Sequence, residues 1–267
     1  MSVNFEKNTF KKRMTSMLGV DFRRMFTSTL YYLMVGIAFV MPILILVMTT
    51  MMDGSVSVNP QTGEETVIEG FKNVWQIIGA VAGGEQAMAM DITSMCNINM
   101  LFFIVAVFVC IFVSDDFRSG YAKNLFTVRS KKGDYIISKT IVCFVAGASM
   151  VIAFFIGAML GGKFAGLPFT LEGVNVFNIV MCMLSKVMLM ALFASIYVLA
   201  SVFAKQRLWL SLLMAFGIGM LMFMMIPLIT PLNSTLVNLL LCSVGSALFA
   251  VGLGVASKAI LEKTNIV

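Results

Sequence analysis

Histidine is absent from the 267 residues, and charged residues make up only 12% of them. The first absence removes the commonest general base and the commonest metal ligand. The second excludes an ordinary soluble domain, in which about 25% of residues are charged. The five cysteines (Cys96, Cys110, Cys143, Cys182 and Cys242) stand singly in or beside apolar runs. With no pair at metal-ligand spacing, they read as small apolar packing groups. Carboxylates are confined to the polar segments between apolar runs. Metal-dependent hydrolysis is all but excluded, and a proton-coupled carrier lacks the intramembrane acid it would usually use. No catalytic residue and no metal site is expected in this chain.

What the chain has in abundance is apolar sequence. Sixty per cent of residues are apolar and the mean hydropathy is +0.97, enough for about six helical spans of roughly 20 residues. The expected fold is an all-α integral membrane protein in a single transmembrane domain, residues 1–267. Its spans are expected at about 31–51, 98–113, 140–160, 176–204, 208–229 and 236–257. Pro42 falls inside the first, and Pro227 and Pro231 interrupt the end of the fifth. No cleavable signal peptide is expected, because the first apolar run starts near Tyr31.

Ahead of the spans, Phe10, Met14, Met17, Leu18, Phe22, Met25 and Phe26 recur every three or four positions. Lys11, Lys12, Arg13, Arg23 and Arg24 occupy the other side. Residues 8–30 therefore predict a basic amphipathic helix lying in the membrane plane. Residues 53–96 form the larger polar loop, with a small hairpin around Asn59-Pro60-Gln61-Thr62-Gly63 and an interfacial helix around Trp75.

Cations set the orientation. Sixteen of the 19 Lys and Arg fall in the segments before span one, between spans two and three, between four and five, and after six. Only Lys72 and Lys163 fall in the alternate loops. Such a bias places both termini in the cytoplasm and accounts for the net charge of +6 without a nucleic-acid partner.

Gly157–Lys163 reads GAMLGGK, which matches the front of a phosphate-binding loop. Phe164 stands where Ser or Thr should hold Mg²⁺, and no strand precedes it, so close helix packing is the better reading. The chain has no nucleotide site of its own on this view. Lys186 is the one cation inside a span, about ten residues or roughly 15 Å from its outer start. A mid-span cation is a functional candidate by default. Met214, Met220, Met222, Met224 and Met225 concentrate in span five, where flexible side chains suit either lipid contact or a path for hydrophobic cargo.

The long polar run Asp115–Lys139 breaks the apolar middle of the chain. Phe117, Tyr121, Leu125 and Val128 are spaced four, four and three apart, which predicts a short amphipathic helix over Asp116–Arg129. Ser114 or Asp115 would cap it and Gly133 would end it.

Asp115-Asp116, Gly120, Asn124-Leu125, Arg129 and Ser138-Lys139 together resemble the loop between spans two and three of the membrane subunit of ABC-2 type transporters. Asp replaces the family's commoner Glu, and Val128 stands where a Pro often precedes the Arg. The whole plan is also similar: a basic elbow helix, six spans, both ends inside and a larger first outer loop. The resemblance extends to permeases of lantibiotic-immunity and phenol-soluble-modulin exporters. It implies a permease of a bacterial cytoplasmic membrane that pairs with a second permease copy and with two copies of a separate ATPase. ATP and Mg²⁺ would belong to that ATPase. The loop 115–135 would carry the coupling helix, with Asp115, Asp116, Phe117, Arg118, Gly120, Tyr121, Leu125 and Arg129 as coupling residues. Phe117, Tyr121 and Leu125 would form an apolar knob, Arg118 and Arg129 would pair with ATPase acids, and Lys186 would lie on the translocation path. Amphipathic or antimicrobial peptides and other hydrophobic compounds are the expected cargo. A sensor or scaffold protein that docks a cytosolic partner through the same loop is the alternative.

Overall fold

The computed structural model describes residues 10–58, 65–67, 69–81, 96–128, 132–171, 173–223 and 225–263. Helix α1 (Phe10–Thr27) is followed after Ser28 by α2 (Thr29–Met52). A hairpin pairs β1 (Val56–Val58) with β2 (Glu65–Val67), Val56 opposite Val67, and a 3₁₀ turn covers Val74–Ile77. Then come α3 (Leu101–Arg118), α4 (Tyr121–Val128), α5 (Lys132–Ala165), α6 (Val176–Ala204), α7 (Leu208–Phe223), α8 (Ile226–Ile229) and α9 (Leu236–Lys263). Apart from the hairpin, the described fold is helical.

Among the described residues, five helices are long and apolar enough to cross a membrane: Thr29–Met52, Ile98–Arg118 (counted with the 3₁₀ turn before α3), Lys132–Ala165, Val176–Ala204 and Leu236–Lys263. The chain has the make-up of a membrane-embedded protein. α5, at 34 residues, is about 51 Å long. That exceeds a hydrocarbon core of roughly 30 Å, so one of its ends must project beyond it. α7 has only 16 residues, about 24 Å, and ends where the chain turns through Met225 into the Pro227-containing α8. The interruption expected near the end of the fifth span falls there: α7 stops at Phe223 and α8 starts at Ile226, because Pro227 cannot donate to the helical ladder.

α6 runs through the middle and touches α3, α5, α7 and α9. Its Met190, Phe193, Ala194, Tyr197 and Val198 are fully buried. α2 packs along α5, and α9 along α6. The close approach of α2 depends on the glycines of the GAMLGGK stretch. A Cβ on Gly157 would overlap the Phe39 carbonyl oxygen, and one on Gly161 would lie 2.8 Å from Ile43 Cα. Those glycines are helical packing positions.

Contacts sort the connecting segments into two ends. At one, Val74 N–H donates to the Pro168 carbonyl, Trp75 Nε1 to the Phe169 carbonyl, and Leu232 N–H to the Ala80 carbonyl. Trp75 is thus packed under a neighbouring loop by a 3₁₀ turn; the longer interfacial helix expected around it is not formed over Val74–Ile77. At the other end, Arg13 pairs with Asp134 at 3.0 Å, Lys132 Nζ donates to the Leu261 carbonyl, and Gln206 Nε2 donates to the Phe117 carbonyl. α1, residues 115–128 and 132–135, the 205–207 turn and the end of α9 gather there.

The single amphipathic helix expected over Asp116–Arg129 is also two pieces. α3 continues past Ser114 and Asp115 to Arg118, so neither residue caps a new helix. Ser119 and Gly120 then break the chain, with Gly120 at φ +75°, a conformation that costs little only for glycine. Gly133 opens α5; it does not terminate the preceding helix. Arg129 lies outside the described residues.

Candidate functional site

On α1, Met14, Met17, Asp21 and Met25 are the buried positions, spaced three, four and four apart. Asp21 therefore sits on the apolar stripe of an amphipathic helix, where a lone carboxylate would be costly. Opposite it, α5 presents Tyr135, Ser138 and Lys139, and α3 presents Asp116 one turn beyond Phe112. Asp21, Asp116, Ser138, Lys139 and Tyr135 are all fully buried.

These side chains form one ion cluster. Lys139 Nζ lies 2.8 Å from Asp21 Oδ1 and 2.7 Å from Asp116 Oδ2. Ser138 Oγ donates to the other Asp21 oxygen at 2.6 Å, so two consecutive residues satisfy both oxygens of one carboxylate. Tyr135 Oη donates to Asp116 Oδ2 at 2.9 Å, and Arg24 Nη1 donates to Asp116 Oδ1 at 2.6 Å. Arg24 Nη1 is also 3.9 Å from Asp21 Oδ1. Two carboxylates and two cations leave the cluster neutral.

Aromatic faces surround the cations. Lys139 Nζ sits 4.4 Å from the Phe112 ring centre, and the Arg24 guanidinium sits 4.3 Å from that of Tyr121. Arg24 is the half-exposed door of the cluster, its side chain 32% accessible. Burial opposes its charge, but Asp116 and Asp21 outweigh that and hold its pKa above the ordinary value. Burial, reinforced by the Asp21 charge, raises the Tyr121 pKa, so the ring that Arg24 meets belongs to a neutral phenol. α1, α3, α4 and α5 thus meet at one set of charges.

Among the expected coupling residues, Asp116 belongs to this cluster and Phe117 is buried against Tyr135. Tyr121 is half-buried beneath Arg24, and Leu125 is half-buried and packed on the core. The apolar knob expected to face outward is turned into the protein. α4 exposes Lys123, Asn124 and Thr127 instead. Asp115 and Arg118 are exposed and lie 3.8 Å apart, and Gly120 supplies the bend. The expectations did not include Asp21, Arg24 or Tyr135. The signal for Asp21 was present: a carboxylate in register with Met14, Met17 and Met25.

Lys186 lies far from this cluster in α6, 1% accessible. Its Nζ donates to Thr230 Oγ1 at 2.9 Å, and Thr230 donates to the Ile226 carbonyl. Cys182 Sγ approaches the Thr230 carbonyl at 3.6 Å. Within Ile226–Ser234, Thr230, Leu232 and Ser234 are fully buried, and Asn178 Nδ2 donates to the Ser234 carbonyl. Among the described residues, no carboxylate pairs with Lys186. Met220 and Met225 of the methionine-rich segment are exposed on the outside of the bundle.

Comparison with known proteins gives no match: no family model, no curated protein and no solved structure matches the chain.

Removing one member of a buried charge cluster costs about 3–5 kcal/mol, because its partners are left uncompensated. Lys139→Met is expected to lower the unfolding midpoint in detergent sharply. The double substitution Asp21→Asn with Lys139→Met removes one charge of each sign and should recover part of that loss. Strictly additive losses in this cycle would show that the four charges do not act as a unit.

Proposed function

We propose that this chain is the permease subunit of an ATP-driven exporter of the ABC-2 type, working as a pair with two copies of a separate ATPase. The supporting observation is the short helix Tyr121–Val128, held between two apolar helices and tied through Arg24 to the basic amphipathic helix α1. A helix that relays force from a soluble motor needs a rigid tie to the membrane-embedded bundle, and the buried ion cluster supplies one.

The orientation follows from charge. The segments carrying most cations gather at the end of the bundle that holds the cluster, which by the positive-inside bias faces the cytoplasm. α7 and α8 together make the fifth of six spans, and both termini are cytoplasmic. The ATPase would meet the polar face formed by Asn124 and Thr127, not an apolar knob. Nucleotide and Mg²⁺ are the partner's. The cargo is an amphipathic peptide or another hydrophobic compound, crossing the bilayer past Lys186. A charge buried in the bundle with one hydroxyl as its described partner is expensive to keep for packing alone.

Purification of the tagged protein from its native membrane in a mild detergent, followed by mass spectrometry, tests this. A stoichiometric chain with its own phosphate-binding loop is expected. The double substitution Asn124→Glu with Thr127→Glu should lose it while leaving the permease folded. Recovery of the protein alone, or with a kinase, would refute the transporter reading and favour a sensor or scaffold.

Lys186→Met should leave the unfolding midpoint unchanged or raised, since an apolar isostere avoids burying a charge. Peptide efflux from membranes carrying this variant should fall to background. Unchanged efflux would remove Lys186 from the path.

A further inference from the structure

At the end of the bundle that holds the ion cluster, a half-open cavity of about 660 Å³ lies between the α3–α4 corner and the α6–α7 turn. Arg118 and Lys123 stand on one wall, and Lys205 and Arg207 on the other. Among the described residues lining it there is no carboxylate, so four cations face a space with no internal counter-charge. Arg118 has only a loose contact, at 3.8 Å, with the exposed Asp115. Gln206 spans the two walls by donating to the Phe117 carbonyl.

The rest of the cavity is apolar. Phe203 and Leu210, one on each helix of the turn, line it. Phe203 is 55% exposed and the neighbouring Trp209 is 64% exposed. Exposed aromatic side chains beside a basic turn, at the ends of apolar helices, are the pattern of a membrane–water interface. Lys205 sits at φ +52°, the only described non-glycine residue with a positive φ. That conformation ends α6, with Lys205 N–H donating to the Ser201 carbonyl, and leaves Lys205 on the cavity wall.

We propose that this groove binds the headgroup of an anionic phospholipid. Its phosphodiester would lie among Arg118, Lys123, Lys205 and Arg207, and its acyl chains would run over Phe203 and Leu210. Basic pockets between membrane helices are suited to such headgroups. The apolar lining favours a lipid, whose acyl chains would cover Phe203 and Leu210, over an acidic protein segment. The inference rests on the chain being membrane-embedded and not on the ATPase, so each can fail without the other.

Native mass spectrometry of the detergent-solubilised protein, with equimolar phosphatidylglycerol and phosphatidylcholine added, tests the site. The intact chain should retain phosphatidylglycerol in preference by on the order of tenfold. Lys205→Gln with Arg207→Gln should abolish that preference. Lys72→Gln with Lys163→Gln, which removes the same charge from exposed positions at the opposite end of the bundle, should leave it. Soluble glycerophosphoglycerol should not displace the lipid at matched concentration.

Four results would overturn the proposal. One is no preference for the anionic lipid, and another is equal loss in both double variants. A third is displacement by the soluble headgroup, which would make the groove a site for free phosphate compounds. The fourth is an intact lipid adduct in Lys205→Gln with Arg207→Gln accompanied by loss of a copurifying protein, which would make the groove a protein-docking surface.

Discussion

Burying Asp21, Asp116 and Lys139 behind a half-exposed Arg24 is tolerable only if the four charges neutralise one another and their remaining hydrogen-bonding capacity is met, and one end of this protein is arranged around that condition. Taking each ion out of water costs several kcal/mol, which only close opposite charges and hydrogen bonds can offset. Asp21 and Asp116 cannot be buried without Lys139, and Lys139 cannot be buried without them. Ser138, Tyr135 and Arg24 then occupy carboxylate oxygens that would otherwise face apolar side chains. Since the members come from α1, α3 and α5, the requirement fixes three helices relative to one another. Aromatic contact through Tyr121 brings in α4.

The consequence for α1 is specific. A basic amphipathic helix on a membrane surface is ordinarily held by lipid, and can slide or tilt. Here it is anchored at Asp21 to the cluster and at Arg13 to Asp134. The same anchoring limits α4, which is only eight residues long and could not be stable as an isolated helix. Gly120 lets the chain turn sharply enough for Tyr121 to return over Arg24. At the opposite end, the Ile226–Ser234 segment and the Val74–Ile77 turn bury residues, and Thr230 supplies the hydroxyl that Lys186 meets.

Much of the fold was legible because hydrophobic run length and helix period are strong signals. The spans at 31–51, 98–113, 140–160, 176–204 and 236–257 correspond to α2, α3, α5, α6 and α9, and the amphipathic 8–30 to α1. The hairpin was legible from the turn residues between Val56–Val58 and Glu65–Val67. The ends were not. Asp115 was read as a cap and Asp116 as the start of a new helix, yet α3 carries both because Asp116 finds charged partners more than 20 residues away in α1 and α5. Phe117, Tyr121 and Leu125 were read as one outward helix face; Phe117 belongs to α3, Tyr121 and Leu125 to α4, and all three turn inward. An apolar face at a membrane surface can point outward to a partner or inward to the core, and only the packing of Phe117 and Phe126 on Tyr135 decides between them.

The claim that one neutral cluster couples α1 to α4 is tested most directly by amide hydrogen exchange on the detergent-solubilised protein carrying Asp21→Asn. The substitution keeps the shape of the side chain and removes one charge. Exchange should quicken in Phe10–Thr27 and in Tyr121–Val128 together, while Val74–Ile77 at the far end keeps its protection. Faster exchange confined to Phe10–Thr27 would contradict the coupling and reduce the cluster to a local anchor for α1.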